Sequence, residues 1–170
     1  MRAVVLDTSA ILRLTQEEIE YLSKENVIFA PESVVSELKK SASLLHFSSF
    51  RNKISILSPR RRIVKEVLKL IIKANKKLSE ADIDVISLAY ELKKKGYDVV
   101  VLTEDYEIQN ALSLLGIAFL SIKGKNIRYV TIFKKKCKAC GFIYDMMLDE
   151  CPNCGSSEFI VIKKVIKNVN

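Results

Sequence analysis

No cysteine occurs in the first 136 residues. That absence argues against a disulfide-stapled secreted chain and suits a reducing, cytoplasmic setting. No apolar run approaches the roughly 20 residues needed to cross a bilayer, so no membrane span is expected. The opening MRAVVLDTSA lacks the apolar stretch of a signal peptide and carries an early aspartate. Tryptophan is absent, histidine occurs once, and no internal repeat is visible beyond a short cysteine motif. What is present in quantity is apolar surface. A hydrophobic share of 49% builds a real core and excludes wholesale disorder. The 170 residues leave room for one domain of ordinary size plus a small appendage.

All four cysteines lie within 18 residues, as Cys137-Lys-Ala-Cys140-Gly and Cys151-Pro-Asn-Cys154-Gly, ten residues apart. Two CxxCG turns at this spacing bring four sulfurs to one tetrahedral ion, and the glycine lets each turn open its amides toward sulfur. Two disulfides or a redox CxxC are the alternatives; duplicate turns favour one structural Zn²⁺. The formal charge of +8 is uneven: residues 1–120 hold 18 Lys+Arg against 16 Asp+Glu, residues 121–170 hold 10 against 4. Zinc bound by thiolates would remove about two units from the tail. The remaining basic surplus favours a polyanionic partner such as RNA, although solubility explains part of it.

Before the cysteines, strand and helix signals alternate. Ala3–Leu6, Asn26–Phe29, Lys53–Leu57, Asp98–Leu102 and Ile117–Ile122 read as strands. Helices are expected from Pro31, over 60–73, from Ser79 toward Gly96, and over 106–115. This order implies an α/β fold with a mainly parallel sheet. Lys123–Ile127 reads as a linker between a domain of residues 1–122 and a small β domain of residues 128–170. In the latter, Arg128–Phe133 and Glu158–Val165 are strands flanking the cysteines.

Open parallel sheets bind ligands beyond the carboxyl ends of their strands, where Asp7 and Asp105 both fall. Either alone reads as a turn residue or helix cap. Asp82 completes a Ser79-x-x-Asp82 capping box, yet helical spacing aligns it with Val85, Ile86 and Ala89 on the apolar stripe. A carboxylate there needs compensation, for which a cation is the obvious candidate. Asp84 aligns with Glu80, Ser87 and Glu91 on the face expected to be wet. Glu37, alone, is a solvated helix residue. Together Asp7, Glu37, Asp82 and Asp105 would make an oxygen-rich pocket for Mg²⁺ or Mn²⁺.

VVLDTSAIL, PESVVSEL, LSEADIDVISLA and VLTEDYEIQN, in that order, resemble the four acidic motifs of PIN-domain ribonucleases over about the first 120 residues. The resemblance implies a PIN-like sheet flanked by helices, with Asp7, Glu37, Asp82 and Asp105 as catalytic, metal-binding acids. Thr8 and Thr103 would be supporting hydroxyls, with Asp84 at one remove and Asp105 preferred over the adjacent Glu104. A PIN domain followed by CxxC-x10-CxxC is similar to the archaeal Nob-type endonucleases of ribosome biogenesis; many toxin-type PIN nucleases share the acids but lack a ribbon. That similarity implies an endoribonuclease maturing the 3′ end of precursor small-subunit rRNA within a pre-ribosomal particle, leaving 3′-hydroxyl and 5′-phosphate ends. A non-catalytic RNA-binding assembly factor, or a PIN nuclease with another RNA substrate, is the alternative.

Other features read as structural. His46 is superfluous to a four-sulfur site. Arg60–Arg62 and Lys93–Lys95 are charge runs of the kind found on solvated helices, the first also suited to phosphate. Lys134, Lys135 and Lys136, directly before the cysteines, are candidate RNA contacts. Phe142 and Tyr144 suit either base stacking or the ribbon's own core. Met146 and Met147 read as packing residues.

Overall fold

Short β-branched runs form the centre of the first sheet because they are apolar on both faces. The computed structural model describes residues 1–39, 44–72, 78–124 and 126–168. Strand β1 (Arg2–Leu6) lies in the middle, paired in parallel with β2 (Asn26–Ala30) on one side and β4 (Asp98–Leu102) on the other. The edges are β3 (Ile54–Ile56) and β5 (Ala118–Leu120), giving the order β3-β2-β1-β4-β5. The chain runs outward from β1 in one direction through β2 and β3, then returns to β4 on the other side. The switch point of the sheet therefore lies between β1 and β4.

Helices cover both faces. They are α1 (Thr8–Ile11), α2 (Gln16–Glu25), α3 (Glu32–Lys39), α4 (Leu44–Ser48), α5 (Arg61–Ile71), α6 (Glu80–Lys94) and α7 (Tyr106–Leu114). Val4, Leu6, Ile28, Ile86, Leu88, Leu92, Ile108 and Leu112 are among the side chains of one continuous core. Each such buried Leu or Ile contributes about 1.5–3 kcal/mol over its exposed state.

The expected strands and helices are found, with shifted ends. The helix anticipated over 60–73 spans Arg61–Ile71, and Lys73 lies outside the described residues. Helix α2 was not anticipated, although Thr15 and Glu18 form a full capping box at its start; only Ile19 is buried along it, which leaves a weak apolar signal. Ser87 and Glu91 are not on a wet face: both are buried, because α5 packs across that side of α6. The cost of burying Glu91 is offset by Arg60, whose backbone N–H (3.0 Å) and Nε (2.8 Å) both reach its carboxylate, and by Lys95 Nζ at 3.0 Å.

The second sheet is antiparallel. Strand β6 (Tyr129–Cys137) pairs with β7 (Ile143–Asp145) and with β8 (Phe159–Asn168), in the order β7-β6-β8. Strand β6 runs four residues beyond the expected end, into the first cysteine. Lys125 of the expected linker and residues 169–170 lie outside the described residues. A buried side-chain amide joins the two sheets: Asn110 of α7 donates from Nδ2 to the Thr131 carbonyl at 2.9 Å and accepts from the Thr131 N–H at 2.8 Å. Among the described residues no helix is long and apolar enough to cross a membrane.

Candidate active site and cysteine cluster

Register places the first functional pair. Leu6 of β1 sits opposite Leu102 of β4, so the next residues, Asp7 and Thr103, emerge side by side at the switch point. Both are buried, at 5% and 0% exposure. Thr103 Oγ1 donates to Asp7 Oδ2 at 2.6 Å and accepts from the Asp105 N–H at 3.0 Å. The Ala10 N–H donates to Asp7 Oδ1 at 2.7 Å, so Asp7 also caps α1, and the Ser9 hydroxyl reaches both of its oxygens. Burial pushes the Asp7 carboxyl above its ordinary range; bonds from Thr103, Ala10 and Ser9 pull against it, and the charge of Asp105 adds to the rise.

Asp105 is exposed and caps α7, accepting the Glu107 N–H at 2.6 Å. Glu104, its neighbour, points elsewhere: it accepts the Ser121 hydroxyl at 3.0 Å and the Lys123 N–H at 3.1 Å. Burial pushes the Glu104 carboxyl up, but those bonds and the Ile122 amide outweigh it and hold the group below its usual range. Glu104 is thus occupied by the loop after β5, while Asp105 stays in electrostatic contact with Asp7.

Glu37, exposed on α3, accepts the Thr8 hydroxyl at 2.7 Å, which links α3 to the residue after Asp7. Asp82 caps its own helix by accepting the Ser79 N–H at 2.8 Å. Asp84 is half-buried and accepts the Ser33 hydroxyl at 2.7 Å, bridging α6 to α3. The acids therefore fall into separately held sets: Asp7 with Thr103 and Asp105, Glu37 with Thr8, Asp82 with Ser79. Among the described residues, the cysteines are the group of three or more potential ligand side chains gathered closely enough for one ion. Mutual repulsion opposes the same gathering by carboxylates. Even so, carboxylates and hydroxyls suit a hard dication, and Asp7, buried with its pKa raised, is a group that a cation would relieve. Ser9 is missing from the sequence candidates. It holds Asp7 and also accepts the Glu104 N–H at 3.0 Å, a role signalled only by a hydroxyl two residues after the strand-end acid.

The cysteine module is built twice over. Gly141 N–H donates to the Cys137 carbonyl at 3.0 Å and Gly155 N–H to the Cys151 carbonyl at 2.8 Å. Both glycines have positive φ, 74° and 75°, which a side chain would strain. The four sulfurs lie within 4.8 Å of one another, with Cys137–Cys154 and Cys140–Cys151 each at 3.6 Å. Bonds of about 2.3 Å from sulfur to a tetrahedral zinc would set sulfurs roughly 3.8 Å apart, so the donor set fits that ion. No cysteine is in a disulfide. The Asn153 side chain and the Phe142 amide draw the Cys140 thiol down to about 6. The Ser156 amide pulls Cys154 down, but Cys140 and Cys137 outweigh it and push that thiol up to about 12.

Two expectations near the module, for Lys135 and Met147, are corrected, and the open choice for Tyr144 falls to the ribbon's core. Lys135 is buried: strand alternation turns it inward, where Nζ donates to the Leu148 carbonyl at 2.7 Å and lies 4.3 Å from the Phe159 ring centroid. It is not an RNA contact, whereas Lys134 and Lys136 point to the other face. Tyr144 is buried against Cys137 and Cys151, so only the exposed Phe142 is free to stack. Met147 is 55% exposed rather than packed. Elsewhere, His46 Nε2 lies within hydrogen-bond reach of the Ile11 and Leu14 carbonyls. The charge runs are partly occupied within the fold: Arg60 on Glu91, Lys94 on Glu66 at 2.9 Å, and Lys93 on the Gly116 carbonyl at the end of α7.

Comparisons with known proteins agree with this layout. Residues 4–92 match the family described as PIN domain of ribonuclease. The chain is 37% identical to "Endoribonuclease Nob1" of Archaeoglobus fulgidus, over 98% of this chain and 95% of that one. It is 32% identical to "Endoribonuclease Nob1" of Methanothermobacter thermautotrophicus, over 89% and 88%. "Ribonuclease VapC1" of Thermoplasma acidophilum is 30% identical over 89% of this chain and 74% of its own.

Proposed function

Because the chain belongs to the PIN-domain endoribonucleases and, within them, to the Nob1 family, we propose that it matures the 3′ end of precursor small-subunit rRNA on a pre-ribosomal particle. The observation that carries the reading is the Asp7–Thr103–Asp105 network at the sheet's switch point, in which Asp7 and Thr103 are buried and Asp105 faces solvent. Asp7, Asp105, Glu37 and Asp82 are the residues that would hold Mg²⁺ or Mn²⁺. When bound, such ions activate water and offset charge on the phosphate and the leaving oxygen. The chain's own contribution is orientation. Thr103, Ser9 and the Ala10 amide hold the Asp7 carboxylate in one setting, and the Thr8 hydroxyl does the same for Glu37.

In this reading residues 1–122 cut and residues 128–170, stapled by one Zn²⁺, grip. Paired residues of an antiparallel sheet share a face. Lys136 therefore lies beside Ile143 and Ile160, and Lys134 between Ile162 and Asp145, forming a surface of lysines and apolar side chains with one acid, suited to structured RNA. The test is cleavage of a precursor 3′ fragment with Mn²⁺ or Mg²⁺ by wild type, Asp7→Asn and Asp82→Asn. Both variants are expected to bind RNA and to cut it more than about 100-fold more slowly, since losing even a partner that orients a metal ligand costs about 10- to 100-fold. Wild type that binds the fragment but cuts no faster than the variants would overturn the reading in favour of an assembly factor.

A further inference from the structure

A cleft opens where α7 meets the second sheet. Its lining includes Tyr106 and Glu107 from the start of α7, Arg128 just before β6, Tyr129 at the start of β6, and Lys163 from β8, around a cavity of about 380 Å³. That volume lies within the range of built ligand sites, about 300–1,000 Å³. Its floor is fixed by the two buried hydrogen bonds between Asn110 and Thr131. The two rings come from different elements, and each keeps more than half its surface exposed, 53% for Tyr106 and 54% for Tyr129. Among the described residues neither ring packs on another ring, and neither Arg128 nor Lys163 is in an ion pair. Tyr106 directly follows Asp105, so the cleft begins one residue from the acid pair.

We propose that this cleft binds one unpaired base of single-stranded RNA, beside the phosphate presented to Asp7 and Asp105. The proposal rests on the endoribonuclease reading and adds a positioning site to it. Exposed aromatic rings bracketed by cations are how proteins hold single strands: the ring takes the base and the cation takes the backbone. Glu107 decides which part enters. A carboxylate on the cleft wall repels a phosphate, yet offers an acceptor to the amino and imino edges of a base. Duplex RNA keeps its bases stacked and paired and has nothing to insert. The site would therefore select a single-stranded segment next to the cut.

The absence of tryptophan supplies the experiment. In the full-length, zinc-loaded chain, Tyr129→Trp is a sole tryptophan reporter in the cleft. Titration with a single-stranded oligoribonucleotide is expected to quench its fluorescence, and the same sequence annealed into a duplex is not. Tyr106→Ala should weaken single-strand binding on the order of tenfold, read by anisotropy of labelled RNA, while Tyr106→Phe retains it. Duplex affinity should be unchanged in both variants. Saturating single strands that leave the tryptophan emission unchanged, or a Tyr106→Ala chain that binds single strands as tightly as wild type, would overturn the proposal. A Tyr106→Phe chain as weak as Tyr106→Ala would do so too. Cleavage is not read here, so a fluorescence response without acid-dependent cutting would strike only the nuclease reading.

Discussion

The two sheets of this chain are held together by different physics. The first is closed around a continuous apolar core to which all five strands and the covering helices contribute. Among the described residues the second has a cluster of its own of just Cys137, Tyr144 and Cys151, with Phe159 packed against them, besides the buried Val130 and Phe133 of β6. Many apolar side chains of that sheet stay exposed, among them Ile143, Ile160, Val161 and Val165. Too little area is removed from water there to offset the chain entropy of some forty residues, so covalent or metal cross-linking must replace burial. The comparison separates duties as well: the module with a core can tolerate a buried, destabilising carboxylate, and the stapled one cannot spare a ligand.

The largest break in that comparison should come from the sulfurs. Cys137→Ser or Cys151→Ser removes a buried sulfur from the proposed zinc site, and such a zinc is worth about 10–16 kcal/mol in small metal-folded modules. Hydrogen exchange should then lose protection across β6–β8 while β1, β2 and β4 keep theirs, and metal analysis should fall from about one zinc per chain. Unchanged protection in β8 would show that the second sheet stands without its staple.

Next in size is Glu91→Ala, which strands Arg60 and Lys95 and should cost about 2 kcal/mol, reduced from the deeply buried case because both cations are half exposed. For a chain of this length that lowers Tm by roughly 4–8 °C. Burial pushes the Glu91 carboxyl up, but its partners hold it below the usual 4.5. Its stabilisation is therefore present above that value and lost as pH falls through the depressed folded one, so melts of variant and wild type should converge in acid.

Asp7→Asn should act in the opposite sense. Because the folded-state pKa of Asp7 is raised, its contribution favours folding below the unfolded value near 3.8 and is lost as pH rises through the folded one. The variant should melt higher than wild type at pH 8, with the gap shrinking toward pH 4. A variant that melts lower at pH 8 would mean that the lost acceptor outweighs the relieved charge. The smallest structural effect belongs to Lys134→Ala with Lys136→Ala. This pair should leave both transitions in place while lowering the salt dependence of RNA binding by about two charges; an unchanged slope would remove that face from the RNA surface.

What was legible in the sequence follows the same division. Strands β1, β2 and β4 and helices α5–α7 announce themselves because burial forces an apolar period. Helix α2, with Ile19 as its only buried residue, imposes no such period, and its capping box was the available sign. The cysteine spacing and the strand-end position of Asp7 are local facts and could be read. Contacts between distant segments could not. Nothing near Glu104 says that Ser121 and Lys123 will claim it, nothing near Ser87 says that α5 will cover it, and a run of three lysines conceals that strand alternation sends the middle one inward.

Asn110 meets β6 through backbone alone, filling with a side-chain amide the place that a neighbouring strand would take along an edge β7 does not reach. Such a joint is indifferent to the side chain at position 131 but not to the count of residues before it. Inserting one residue within β6 ahead of Thr131 would present the wrong edge of the strand to the amide. The connection is thus a ruler, and evolutionary change in this segment should take the form of substitution and not of altered length.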